Sequence, residues 1–395
     1  MRNYNKNLTA TFIGLFTLAA GTTLLAAPDP RPGQQGQQQQ QRAQGQQGQQ
    51  GATASHVDLV IALDTSSSMD GLIDGARQKL WDVGNLLAQA RPRPILRVGL
   101  LSYGNDGYDA GKGWVRKESD LTTDLDGIYA RLFALRTNGG SEYVARAVRD
   151  ATREMRWSQE SGTLKIIFVA GNEPANQDPQ VQLVSAVQGA RQKGIFVNAI
   201  YCGADGGGEA VSWRQVAALG SGQYAAIDQN QIVTIAAPQD AELARLSGEL
   251  NKTYVAYGTA GGMRAEQQAA QDKNAQTASA PAAASRAAAK ASALYRNDDW
   301  DLVDARNRGK DIGKMKAEEL PEPLRKLDSA ARDHYLTEKA KERETLQKKI
   351  ATVNGERETY LKAERARRAG KGAKALDDAL GEAIRKEATS AGFAF

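Results

Sequence analysis

Between about residues 57 and 258 the chain alternates short, almost wholly apolar runs with amphipathic stretches, and this alternation constrains the fold more than any other feature. The runs at 57–64, 96–103, 164–170 and 195–202 lack the in–out alternation of a strand with one wet face. They read as parallel strands covered on both sides. Further strands are expected at 114–120 and 223–227. Leu72, Ala76, Leu80, Val83 and Leu87 recur at spacings of three and four, as do Val144, Ala147, Ala151 and Met155, which predicts helices over the sheet. The connection GNDGYDAGKG is too short for a helical crossover, so the strands on either side of it should pair antiparallel at one edge. The expected fold class is α/β: a doubly wound, mostly parallel sheet with one antiparallel edge strand, followed by a helical C-terminal region.

The flanks differ in kind. Residues 1–27 place Arg2 and Lys6 ahead of an apolar run ending in Ala26 and Ala27, the pattern of a secretory signal with cleavage near Ala26. An uncleaved membrane anchor is the alternative, since the run is about long enough to span a bilayer. Export to the periplasm or the medium is expected. Residues 28–55, rich in Gln and Gly, have almost nothing to bury and read as a disordered linker. The packed domain is expected at 56–258, and an Ala/Gln-rich linker or loosely docked helix at 259–292. In 293–395, YRNDDWDLVDA reads as a docking segment, because its aspartates lack the turn glycine and terminal glutamate of a calcium loop. Beyond it Leu336, Ala340, Leu346, Ile350 and Leu361 recur at near-heptad spacing. That pattern predicts a long helix, or a hairpin broken at Asn354–Gly355, with self-association through a coiled coil as one use for it.

In a doubly wound sheet, ligands bind at the carboxyl ends of the strands where the connections diverge. The first strand ends there in DTSSSMDG. Asp64, Ser66 and Ser68 alternate along a tight loop, so their oxygens can converge while Thr65 and Ser67 turn away. Such hard oxygens suit Mg2+ or Mn2+. The competing reading is that Ser68 caps the following helix, which accounts for one hydroxyl and leaves Asp64 and Ser66 without a role.

The D-x-S-x-S of Asp64, Ser66 and Ser68, followed by TNGGSEY and by the strand KIIFVAGNEP, resembles the von Willebrand factor A domain. The resemblance spans residues 57–251, and the motifs also look like those of a group of exported bacterial proteins with this domain. It implies a metal-ion-dependent adhesion site with Asp64, Ser66 and Ser68 from the first loop and Ser141 in the place of the family's second-loop threonine. The third loop departs from the family: Ala170, Gly171 and Asn172 stand where Thr-Asp-Gly is common, so one carboxylate is missing. Glu142, Asn172 and Glu173 are the candidate substitutes.

An enzyme is not expected. His56 and His334 read as surface residues, Cys202 as a small core residue, and GADGGGEA lacks the lysine that would hold phosphates. Lys and Arg are interleaved with Asp and Glu, which argues against a nucleic-acid track, and a membrane contact is expected only if the signal stays attached. The function expected is recognition of a protein ligand at the sheet's carboxyl edge, with a partner Asp or Glu completing the shell of the ion. A metal-independent envelope scaffold acting through the helical tail is the alternative.

Overall fold

The computed structural model describes residues 56–227, 234–368 and 376–395. Six strands, β1 (His56–Asp64), β2 (Ile95–Tyr103), β3 (Val115–Thr122), β4 (Leu164–Gly171), β5 (Ile195–Tyr201) and β6 (Ser221–Ala226), form one sheet in the order β3-β2-β1-β4-β5-β6. All neighbours run parallel except β2 and β3. The antiparallel edge is where the short connection required it, and the order reverses between β1 and β4.

Residues of β1 alternate between two cores: Leu59 and Leu63 face one, Val60 and Ala62 the other. Helices α1 (Asp70–Gln89) and α2 (Leu125–Ala134) cover the first face. Helices α3 (Val144–Glu154), α4 (Leu183–Gln192) and α5 (Ala210–Gly220) cover the second. Both faces are thereby dry, which is why the strands carry apolar residues at successive positions.

The C-terminal region is built into this domain, and all described residues belong to one compact unit. After α6 (Asp240–Asn251), the stretch expected as a linker forms α7 (Gly261–Ala278) and α8 (Ala280–Ala291) instead. Its packing does not use large apolar residues. Ala282, Ala284 and Ala287 let α8 approach its neighbours closely, and Arg286 and Lys290 are buried against Asp126 and Asp272. The docking segment starts α9 (Leu302–Asn307), and Asp301 and Asp304 receive Arg343 at 2.7 and 2.8 Å.

Arg343 lies on α10 (Ser329–Arg368), a single helix of 40 residues that passes through Asn354–Gly355 without a break. One glycine costs a helix about 1 kcal/mol, less than the packing on both sides of it supplies. Leu336, Leu346 and Ile350 are buried against this chain's own α6, α8 and α9 region, and Leu361 against Ile235 and Ala237 before α6, so the near-heptad seam is already occupied. Helix α11 (Leu376–Ser390) then returns to the first face of the sheet, where Ala383, Ile384 and Ala388 join the core of α1. Residues 1–55, where a signal and a linker are expected, lie outside the described residues, among which no helix is long and apolar enough to cross a membrane.

Candidate functional site

β1 delivers Asp64 to the point where the strand order reverses, beside the ends of β2 and β4. Its side chain is fully buried. Oδ1 accepts the Ser66 backbone N–H at 2.8 Å, and Oδ2 has no hydrogen-bond partner. Two glycines make room for the carboxylate. A Cβ on Gly104 would stand 2.8 Å from Oδ1, and one on Gly171 would stand 2.9 Å from Oδ2. Either would push into the carboxylate, so the bare backbone on both sides belongs to the site.

The first loop is tied down by its other residues. Thr65 turns inward and donates its N–H and Oγ1 to the Tyr103 carbonyl at 2.8 and 2.9 Å, while its own carbonyl accepts the Asn138 N–H at 3.0 Å. Tyr103 in turn donates its hydroxyl to the Ala170 carbonyl at 2.8 Å, linking the ends of β2 and β4. Ser66 and Ser68 are left facing each other, Oγ to Oγ, at 3.3 Å. Asn172 Nδ2 donates to Ser68 Oγ at 3.0 Å. Helix α1 begins with Met69 at its N-cap and has no side-chain cap bond. Ser68 stands one residue before that cap position, and its hydroxyl meets Ser66 and Asn172.

The second loop presses against the first. Gly140, at φ 142°, brings its backbone so close to Gly104 that a Cβ there would lie 2.4 Å from the Gly104 carbonyl oxygen. Ser141 and Glu142 follow, both half-buried. Glu142 Cγ and Asp64 Oδ1 approach the same point over Gly104, at 2.9 and 2.8 Å from it. From the third loop Asn172 reaches the hydroxyls, with its Oδ1 left unpartnered, while Glu173 stays exposed on the rim. The Glu173 carbonyl accepts Trp213 Nε1–H at 2.8 Å, which fixes that loop on α5.

Electrostatics set this cluster apart. Burial pushes the Asp64 carboxyl up to about 8, against the pull of the Ser66 N–H and with a further push from the negative charges of Glu142 and Glu173. Burial also raises Glu142, opposed by hydrogen bonding with Ser66 and reinforced by Glu173 and Asp106. The charges acting on both carboxyls are negative. No group of three or more His, Cys, Asp and Glu arranged to hold a metal occurs among the described residues. The donor set here is of another kind: a buried carboxylate with an orphaned oxygen, two adjoining hydroxyls and a second carboxylate across a glycine. Those are hard oxygens with no cationic partner, and they fit a small divalent cation that would displace the proton burial favours.

Of the residues singled out in the sequence, Asp64, Ser66, Ser68, Glu142 and Asn172 are brought together, Ser141 lies in the same loop as Glu142, and Glu173 stands at the edge. Gly104, Gly171, Tyr103 and Asp106 were missed. The available signal was a glycine placed immediately after, or at the end of, an apolar strand.

No protein-family model matches this chain, and no curated protein matches it. Among solved structures it is similar to the SpRpn10 VWA domain, with 14% identity over 44% of this chain and 88% of that one, at a TM-score of 0.35. Another is proximal thread matrix protein 1 from the mussel byssus with a zinc-occupied MIDAS motif (13% identity, 46% and 44% of the two chains, TM-score 0.35). A third is the pilus adhesin SpaC from Lactobacillus rhamnosus GG (17%, 45% and 28%, TM-score 0.33). The chain spans less than half the length of the last two.

Proposed function

We infer that this chain, whose strand order and antiparallel edge match the von Willebrand factor A fold, is an exported binding protein that captures a protein partner at the carboxyl edge of its sheet. Binding rather than catalysis is the role proposed, and a divalent cation, Mg2+ or Mn2+, is its cofactor. One observation carries the reading: Asp64 is fully buried, at a topological switch point, with Oδ2 unpartnered and with only negative charges acting on it. A buried carboxyl without a counter-charge or a full set of hydrogen bonds is expensive and persists where it serves a function.

Asp64, Ser66, Ser68 and Ser141 would hold the ion, directly or through water, and Glu142 would take the place of the missing third-loop carboxylate. When bound, the cation supplies a Lewis-acidic centre for an oxygen of the partner. The chain's own residues do the rest. Thr65 and Tyr103 fix the first loop to β2 and β4, Gly104 and Gly171 keep side chains away from the carboxylate, and Asn172 orients the Ser68 hydroxyl by donating to it.

The test is calorimetric titration of Mg2+ and Mn2+ into the metal-stripped full chain beside Asp64→Ala. Saturable binding that the substitution removes is expected. Absence of binding at roughly millimolar ion, the weak end for hard cations at oxygen sites, would refute the metal. The full chain is needed, because ending it at residue 258 would uncover the part of the sheet's core that α11 closes.

A further inference from the structure

The edge of the sheet that holds this site has a charge opposite to that of the chain. The whole carries a formal +5. Around Asp64, however, stand Glu142, which meets Asp64 over Gly104, Asp106, whose N–H donates to the Gly139 carbonyl of the second loop at 2.9 Å, and Glu173, next in the chain to the Asn172 that reaches Ser68. Other acids on the same edge have been given cations. Asp178 is held by Arg146 at 2.9 Å and Asp205 by Arg214 at 2.6 Å. Those two basic side chains are thus spent at the periphery, Arg136 before the second loop donates to the Phe133 and Leu135 carbonyls, and no ion pair joins Asp106, Glu142 or Glu173 to a basic side chain among the described residues. The fully buried Asp64, with Oδ2 unpartnered, stands at the centre of these acids, so the crevice is more than a solvated acidic rim.

A divalent ion offsets two of these four charges. Two remain, and Asp106 and Glu173 are the exposed ones. A carboxylate arriving from a partner would meet an ion whose charge is already balanced and a rim of like charge, which disfavours it. A cationic side chain would find two acceptors with no competing base.

We propose that the crevice takes a basic protein segment, which sets Lys or Arg side chains against Asp106 and Glu173 and offers the ion a neutral oxygen instead of a carboxylate. The proposal rests on the partner-binding role inferred above, and it departs from the acidic ligand that the sequence motifs alone imply.

Immobilised short peptides test it, read with the full chain in Mg2+ and again after chelation. One set centres a Ser or Asn between Lys or Arg residues, a second centres Asp or Glu in a neutral context, and a third is neutral throughout. Preferential capture on the basic set is expected, falling about tenfold as salt rises from about 0.05 M to about 0.5 M. Asp106→Asn and Glu173→Gln should each lower that capture about two- to fivefold while leaving the calorimetric affinity for Mg2+ within about twofold. Both residues are exposed, so the folded state is not at risk. Preference for the acidic set, capture on neither set, or indifference to both substitutions would overturn the proposal. Capture on the basic set that survives chelation would instead remove the metal and leave the basic ligand standing, so the two readings fail separately.

Discussion

Arg286 and Asp64 are both buried ionisable groups, 1% and 0% exposed, and the protein surrounds them in opposite ways. Arg286 donates to Asp126 Oδ1 at 2.6 Å, to Asp272, and to the Gln268 carbonyl at 3.0 Å, and it lies 4.8 Å from the Trp81 ring centroid. Lys290 sits beside it on Asp272 at 2.8 Å and on Ser247 at 3.0 Å. Every charge at this junction of α2, α7 and α8 has a counter-charge. Asp64 has one backbone N–H, two serines nearby, and negative neighbours. This chain assembles fully paired buried networks where it needs structure. Leaving Asp64 unpaired in the same fold therefore marks the crevice as a place where stability is given up for binding.

The largest effect should come from breaking the paired region. Arg286→Met leaves Asp126 and Asp272 buried beside a neutral side chain, a change that typically costs about 3–5 kcal/mol. Urea denaturation of the full chain should show the midpoint falling accordingly. A loss below about 1 kcal/mol would mean that the network is no better compensated than the crevice, and the contrast would collapse.

Glu387 on α11 tests the comparison from within the C-terminal region, because it is an exception there. It is 2% exposed, Oε2 accepts Asn198 Nδ2–H at 3.2 Å, Oε1 is unpartnered, and burial raises its carboxyl to about 7. An unfolded glutamate titrates near 4.5. Between those values the folded chain holds a proton that the unfolded chain has released, so stability falls as pH rises through that window and levels off above it. The full span corresponds to at most about 3 kcal/mol. Glu387→Gln should flatten this slope and leave the variant the more stable above pH about 7, with the difference gone near pH 4.5. Unfolding measured across pH decides it, and an unchanged slope would place the titrating group elsewhere.

In the crevice the sign reverses. Asp64→Asn removes a carboxyl that must take up a proton to stay buried without a counter-charge, so near pH 7 the metal-stripped chain should become more stable, by about 1–2 kcal/mol. The same variant should lose the stabilisation that Mg2+ or Mn2+ gives the native chain. Thermal unfolding with and without ion measures both. Destabilisation in the absence of metal would show that the carboxylate is already satisfied.

The sequence disclosed the crevice better than it disclosed the C-terminal region, for a physical reason. Apolar strands and a D-x-S-x-S loop announce themselves locally, through period and spacing. The reversal of strand order that gathers Asp64, Glu142 and Asn172 then follows from the parallel topology. In 259–292 the packing rests on alanine and on ion pairs between residues more than a hundred positions apart, such as Asp126 with Arg286. Neither alanine nor a lone arginine signals burial in a hydropathy pattern, so a buried helical pair reads as a linker. Asn354–Gly355 misled for a related reason: a turn signal worth about 1 kcal/mol was outweighed by tertiary contacts that no local window contains. Asp106 was passed over because its role depends on charges from other loops.

The smallest expected effect separates a metal comb from a helix cap. Were Ser68 an N-cap, Ser68→Ala would cost about 0.5–2 kcal/mol. Here Met69 holds the N-cap position of α1 without a side-chain bond, and Ser68, before it and exposed, is bonded to Ser66 and Asn172 across the site. Its removal should change stability by less than about 0.5 kcal/mol, while Mg2+ affinity drops several-fold. Ser67→Ala, one residue away on the outward side of the loop, should change neither. If Ser68→Ala unfolds the chain as a lost cap would and leaves metal affinity intact, the hydroxyls belong to the helix. A fall in affinity alone assigns them to the ion, because in that case the one quantity that moves is the one to which the cap does not contribute.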